Sequence, residues 1–260
     1  MTRSIILILL MFIGGTVSAQ YPSATSTNSY QLTPSDSAKV GGNPARFGNS
    51  PHISAIVPIS LVATGVIVES LPSHTLFSKE RIQQHIQGQL NGFRTSTDNY
   101  LQFVPVAAMF GFKLAGMKSR SDLMYQAIIS AKSELLMLAI VSSMKHFIHD
   151  WRPDGSSDNT MPSGHTAQAF VSATLLDMEY RDTSPWISVG GYLCATATGI
   201  FRVTNNRHWA SDVLVGAGIG IASVKLVYLT HRYKWGKMPT AVLVPTIYQN
   251  GGGVAFAMKF

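Results

Sequence analysis

The run MPSGHTAQAFVSATLLDMEY, residues 161–180, decides the fold. Ser163 follows Pro162 and stands ahead of an apolar run from Thr166, so it reads as the N-cap or first-turn residue of a helix over about 164–178. Gly164 lets backbone approach a ligand closely, and the free amides of Gly164 and His165 would open on an anion. Upstream stands Lys145-x6-Arg152-Pro153, and downstream Arg202-x5-His208-x3-Asp212. Together the three runs supply three fixed cations, two histidines and one carboxylate.

Those side chains suit one chemistry. Arginine forks match phosphate oxygens bidentately, and lysine adds a point charge. Lys145 and Arg152 are seven residues apart, which places them on one face if the helix runs to Arg152, with Pro153 marking its end. His208 and Asp212 are four apart and share a helix face. A carboxylate there keeps one imidazole nitrogen protonated and leaves the other free to attack phosphorus. His165, at the positive end of another helix, is the expected proton donor to the leaving oxygen. The cations and the Ser163–Gly164 backbone would neutralise the equatorial oxygens.

In these three motifs the sequence resembles the type 2 phosphatidic acid phosphatase superfamily, which also holds bacterial acid phosphatases and vanadium haloperoxidases. The likeness runs from Lys145 to Asp212 with every charged or titratable motif position filled. It departs at Phe201, where the family often has serine ahead of the motif arginine. The resemblance implies His208 as nucleophile, His165 as acid and base, Asp212 as the partner of His208, and Lys145, Arg152, Ser163, Gly164 and Arg202 as phosphate ligands. It also implies a phosphohistidine intermediate and no metal or organic cofactor.

Neighbouring residues earn blander readings. His146, His149 and Asp150 have ligand-like spacing, but no second cluster completes a metal site, so a solvated or rim role is expected. Arg207 and Asp154 are candidates for the mouth of the site, and Cys194 for a buried, inert thiol.

Apolar stretches at about 53–69, 101–117, 124–148, 164–178, 186–201 and 211–230 predict an all-α bundle of about six core helices. Ile82, Ile86 and Leu90 recur every four residues and add an amphipathic helix around 79–92. A hairpin of the fourth and fifth stretches brings His208 to the end of the bundle where His165 sits. The chain divides into a signal peptide (1–19), a flexible lead-in (20–52), a helical phosphatase domain (53–237) and a C-terminal β-hairpin (238–260). Arg3, the apolar run Ile5–Ile13 and the small residues Val17 and Ala19 describe the leader. One cysteine excludes an internal disulfide. A net charge of +7 without basic runs interleaved with aromatics argues against nucleic acid and suits an anionic lipid surface or a phosphorylated substrate.

The expectation is an exported, membrane-associated envelope phosphatase with its site facing the periplasm. Its substrate would be a lipid phosphomonoester or diphosphate of the lipid A, undecaprenyl diphosphate or phosphatidate type. The alternatives are a soluble periplasmic acid phosphatase of broad specificity, a vanadate-dependent haloperoxidase and a non-catalytic phosphate-binding envelope protein. Lys132 and Glu134 interrupt the third stretch, which is expensive in lipid unless they face the interior. If the leader is cleaved and the first three stretches all cross, the first motif ends in the cytoplasm, in conflict with an external site. The oligomeric state is left open.

Overall fold

A computed structural model describes residues 51–90, 92–230, 241–248 and 251–258, so the expected signal peptide and nearly all of the expected lead-in lie outside the described residues. Among the described residues the chain forms eight helices and two strands. They are α1 (Pro51–Ser70), α2 (Lys79–Gln89), α3 (Asp98–Leu101), α4 (Val104–Leu114), α5 (Leu123–Phe147), α6 (Gly164–Tyr180), α7 (Pro185–Thr204) and α8 (Ala210–Thr230), then β1 (Ala241–Tyr248) and β2 (Gly251–Met258). All six apolar stretches are helices, the amphipathic segment is α2, and α3 is a short addition.

Local chemistry fixes the starts. The hydroxyl of Ser78 accepts from the Arg81 amide ahead of α2, and the Asp122 carboxylate from the Tyr125 amide ahead of α5. Ser163 does the same for Thr166 ahead of α6, as its place in the sequence predicts. Pro185 opens α7, where its missing N–H costs nothing.

Helix α6 is the axis of the bundle, with Ala167, Ala169, Val171, Ala173 and Leu175 essentially inaccessible. Small residues let its neighbours close in. A Cβ added at Gly216 would lie 2.6 Å from the Ser163 carbonyl oxygen, and one at Gly220 would lie closer still to that of Ala167. This small-residue stripe presses α8 against the first turn of α6 and sets the spacing of the site. Gly218 lies as close to Pro58 and Val62, and Gly65 to Ser211, so α1 runs antiparallel to α8.

The far end of the bundle is latched by Glu179. Its carboxylate accepts from the Ser121 amide, the Ser121 hydroxyl and Gln126 Nε2, and its carbonyl from the Arg120 amide. Tyr180 Oη donates to the Met109 carbonyl at the same end. The path α4, α5, α6, α7 therefore alternates between this latch and the end where the three motifs meet.

The C-terminal strands pair antiparallel, from Ala241 opposite Met258 to Tyr248 opposite Gly251. They belong to a separate compact unit, Tyr228–Phe260.

The outer surface is unusual for a bundle that meets water. Helix α5 is apolar enough to cross a bilayer, yet only 28% of its most apolar window is buried. Leu135 and Leu138 on α5, Trp186 and Leu193 on α7, and Ile56 and Ile59 on α1 are all more than half exposed. Cys194 is half-buried on α7 rather than in the core as expected, because its helix turns that face outward. Lys132 is exposed, and Glu134 accepts a hydrogen bond from Gln168 Nε2 across the α5–α6 contact.

Candidate active site

All eight sequence-predicted residues lie at one end of the bundle, on the end of α5, the loop 148–163, the first turn of α6, the end of α7 and the start of α8. The up-and-down path of α6 and α7 returns Arg202 and His208 to His165, as the hairpin expectation required.

Two local expectations fail in detail. Helix α5 stops at Phe147, and Ile148 takes extended geometry (φ −108°, ψ 108°), so Lys145 and Arg152 share no helix face. Arg152 is brought back instead by a folded loop. The Arg152 amide donates to the Ser157 carbonyl at 2.9 Å and the Asp150 amide to that of Asp158 at 2.8 Å. Gly155 turns the loop at φ +69°, a conformation glycine adopts without strain. Likewise α8 begins at Ala210, so His208 precedes the helix and only Asp212 lies in its first turn. The two still meet, because Asp212 Oδ2 caps the helix by accepting from the Trp209 amide at 2.9 Å.

The imidazole–carboxylate pair is fully enclosed. His208 Nδ1 lies 3.2 Å from Asp212 Oδ2, with His208 2% exposed and Asp212 at zero. A third partner escaped sequence reasoning. The Thr160 hydroxyl donates to Asp212 Oδ2 at 2.5 Å and lies 3.1 Å from His208 Nδ1, positioned to accept from it. This geometry fixes the tautomer with hydrogen on Nδ1 and the lone pair on Nε2. Burial lowers the His208 pKa below the ordinary histidine value; the bond and charge of Asp212 oppose this, and the charges of Arg202 and Lys145 add to it.

The cations are held differently from one another. Lys145 Nζ donates to the Asn159 carbonyl at 2.6 Å and the Thr160 carbonyl at 3.3 Å, so it also secures the loop that carries Thr160. Arg202 Nη1 donates to Asp98 Oδ2 at 2.7 Å. The Nε atoms of both Arg152 and Arg202 are buried and have no acceptor among the described residues. Both arginines line a cavity of about 480 Å³, with Arg94, Arg207, Asn99 and Asn205 among the other lining residues. Ser163 is fully buried as the α6 cap, and the space beside the Gly164 Cα is open. His165 Nε2 lies 3.0 Å from Asn99 Oδ1. Burial, and then the Arg202 charge, lower the His165 pKa to about 4.

Behind Asp212 lies a second unpredicted layer. Lys79 Nζ bridges Glu69 Oε1 at 2.6 Å and Asp150 Oδ2 at 2.7 Å, and Ser211 Oγ donates to Glu69 Oε2 at 2.8 Å. One carboxylate oxygen each from Glu69, Asp150 and Asp212 lie within 4.8 Å of one another, and Lys79 is the cation already bound to two of them. Asp150 therefore departs from the expected rim role, whereas His146 and His149 are exposed. Arg207 and Asp154 form an ion pair of 3.2 Å, with Arg207 on the cavity wall. Asp98, Asn99 and Lys79 carry no motif-like spacing; their only sequence signal is to be polar residues beside apolar helices.

A sequence profile described as the PAP2 superfamily matches residues 126–236, the span that contains every one of these motifs. Over this span the chain is similar to the PAP2 superfamily. A relative described as the lipid A 1-phosphatase of Porphyromonas gingivalis is 47% identical over 137 residues, 52% of this chain. The match spans 31% of that relative's length. Two solved structures resemble the chain at 22% identity. One is Aquifex aeolicus LpxE (TM-score 0.39, 65% of this chain, 94% of that one). The other is a transmembrane PAP2-type phosphatidylglycerolphosphate phosphatase from Bacillus subtilis (TM-score 0.43, 68% of this chain, 99% of that one). The matched region begins within α5 and covers α6, α7 and α8, while Lys79, Asp98 and Asn99 come from α2 and α3, outside it.

Proposed function

We propose that the chain is a membrane-associated phosphatase that hydrolyses a phosphorylated envelope lipid through a phosphohistidine. One observation carries the reading. Two buried guanidinium N–H groups, on Arg152 and Arg202, lack acceptors on the wall of one cavity at the end of the bundle that holds a prepared imidazole. Orphaned charged donors are costly unless a ligand satisfies them, and a tetrahedral oxyanion offers acceptors in the matching fork geometry. The relative's description as a lipid A 1-phosphatase supports the class.

In the mechanism, His208 Nε2 attacks phosphorus and the ester oxygen leaves on the opposite side, taking a proton from His165. Asp212 and Thr160 hold hydrogen on Nδ1 and stabilise the positive charge that develops on the ring. Water then gives a proton to His165 and attacks the phosphohistidine, which releases phosphate and restores both histidines. Burial and then the Arg202 charge hold the His165 pKa near 4; a phosphate dianion against Arg152 and Arg202 offsets the second of these and raises it, which arms the acid once substrate is bound.

The exposed apolar face of α5 supports insertion, because a soluble core helix of that hydropathy would be buried. We use α5 and α8, the two described helices that are long and apolar enough to cross a bilayer, to set the orientation of the bundle. Lys118 and Arg120 precede α5, while Arg232, Lys234 and Lys237 follow α8 in the sequence. Lysine and arginine flanking spanning helices favour the cytoplasmic side, and on that ground we place the opposite end, with the site, in the periplasm.

The test is phosphate release by purified protein and by His208→Ala from lipid A, undecaprenyl diphosphate, phosphatidate and p-nitrophenyl phosphate. Turnover of a lipid, with an alkali-stable phosphoryl label on the wild type and none on the variant, is the expected result. Retention of most activity by His208→Ala would remove the nucleophile assignment.

A further inference from the structure

The cavity holds more positive charge than one phosphate requires. Arg94, Arg152, Arg202 and Arg207 line it against a single carboxylate, Asp98, which is bonded to Arg202. Arg152 and Arg202 belong to the motifs. Arg94 and Arg207 do not, and they come from separate segments that are stitched together.

The stitching is built from side chains of both segments. Phe201, which stands where the resembled family often has serine, stacks on Phe93 with ring centroids 6.3 Å apart. Next along the chain, Arg94 Nη1 donates to the Asn205 carbonyl at 2.7 Å. The Thr95 amide donates to Asn205 Oδ1 at 2.8 Å, and Asn205 Nδ2 returns a bond to the Thr95 carbonyl at 2.8 Å. The same turn leads to Arg207, whose charge is shared with Asp154 and which directly precedes His208. Two guanidinium groups are thus placed on a fixed frame around the mouth of the phosphate site. A guanidinium carries five N–H donors, and Arg94 commits one of them to Asn205.

We infer that Arg94 and Arg207 form a second anion subsite, which binds a further phosphoryl group of the same substrate molecule. The proposal rests on the lipid phosphatase reading and narrows it to lipids with two phosphoryl groups, adjacent as in a diphosphate or separate as in a bisphosphorylated glycolipid. A cationic headgroup such as choline or ethanolamine is disfavoured by the same wall. The scissile phosphate sits on Arg152 and Arg202, and the second phosphate sits outward, where it contributes to binding more than to the chemical step.

The experiment compares matched substrates in detergent micelles. Farnesyl phosphate is set against farnesyl diphosphate, and monophosphoryl against bisphosphoryl lipid A, with wild type, Arg94→Gln, Arg207→Gln and Arg207→Lys. A charged hydrogen bond is worth enough for a tenfold or larger effect when enclosed, and partial exposure of Arg207 reduces that to roughly 3- to 10-fold. The expected result is a KM increase of that size for the two-phosphate substrates, with kcat and both monophosphate reactions within about 2-fold and partial recovery in Arg207→Lys. The pair that shows the effect identifies the adjacent or the separate arrangement. An equal loss on mono- and two-phosphate substrates, or no loss on either, overturns the subsite. Calorimetry with inorganic pyrophosphate and orthophosphate separates this result from failure of the phosphatase reading. If nothing is turned over, a pyrophosphate preference that disappears in Arg207→Gln still supports the subsite, and equal affinities refute it.

Discussion

Replacement of Lys79 by methionine separates an internal counter-ion from an incidental ion pair. The ammonium contacts Glu69 and Asp150 at 2.6 and 2.7 Å, and the three side chains are only 10–16% exposed. Methionine keeps the stem and leaves two carboxylates with a third, Asp212, within 4.8 Å. Loss of one partner from a fully buried pair costs about 3–5 kcal/mol, and the residual exposure here reduces that to about 2–4. For a domain of this size that lowers Tm by roughly 4–16 °C. The pH dependence has a definite sign. Burial acts against the Lys79 charge, but the bonds and charges of Glu69 and Asp150 prevail and raise its pKa, so its contribution is complete at neutral pH and lost only on the alkaline side. Burial holds the Glu69 pKa above its ordinary value, and without Lys79 its largest offset is gone, so Glu69 binds protons more readily when folded than when unfolded and the variant's deficit shrinks as pH falls from 8 to 5. On the proposed mechanism, the uncompensated negative charge beside His208 and Asp212 should also shift the acid limb of kcat upward. Thermal unfolding in detergent micelles at pH 5 and 8, together with a pH–rate profile, tests all three. A melting point at pH 8 within 1–2 °C of wild type, with an unmoved acid limb, would refute the assignment.

Three further outcomes test the site itself. Thr160→Val keeps the shape and removes the hydroxyl between Asp212 and His208; kcat should fall about 10- to 100-fold with KM little changed, Thr160→Ser should restore most of it, and a fall in KM instead would argue for a purely steric role. At Gly164 an added Cβ meets nothing, so Gly164→Ala should fold with unchanged or slightly higher Tm and still lose at least about tenfold in kcat/KM, and unchanged kinetics would mean that phosphate does not approach this backbone. His165 has a depressed pKa near 4, so the unfolded chain takes its proton first as pH falls below about 6.5, and this group alone makes the fold less stable over that interval. Its imidazole resonance should titrate near 4 in the free protein and markedly higher with saturating orthovanadate, and no change on binding would exclude it as the armed acid.

The helices were legible because each apolar stretch is long enough to need burial or lipid, and Ser163 read correctly because an N-cap is a local choice. A helix face shared by Lys145 and Arg152 requires a helix that runs to the visible stop at Pro153, whereas α5 ends at Phe147 and a folded loop supplies the approach. The four-residue spacing of His208 and Asp212 likewise suggests one helix face, but the helix starts two residues after His208. The pair still met, because capping by Asp212 draws the preceding turn inward. Asp98 and Lys79 were illegible for a different reason. Their partners lie 104 and 71 residues away, and no periodicity reports a contact created only when α3 and α2 cover the end of the bundle.

The direction of the bundle bears on the N-terminus. Helix α1 ends at the site, where Glu69 meets Ser211, and its antiparallel course beside α8 puts Pro51 at the end of the bundle where α8 finishes. The orientation proposed above puts that end in the cytoplasm. A cleaved leader ending at Ala19 would instead deliver Gln20 to the periplasm, and the polar stretch 20–50 has no apolar segment to carry the chain back. The two readings cannot both describe one topology. Single cysteines at Ser35 and Ser73, in a Cys194→Ser background, decide between them with a membrane-impermeant thiol reagent applied to intact spheroplasts. Labelling at Ser73 alone supports a periplasmic site and refutes translocation of the N-terminal segment. Labelling at Ser35 alone retains the leader and turns the site toward the cytoplasm, where its lipid would have to be met before export.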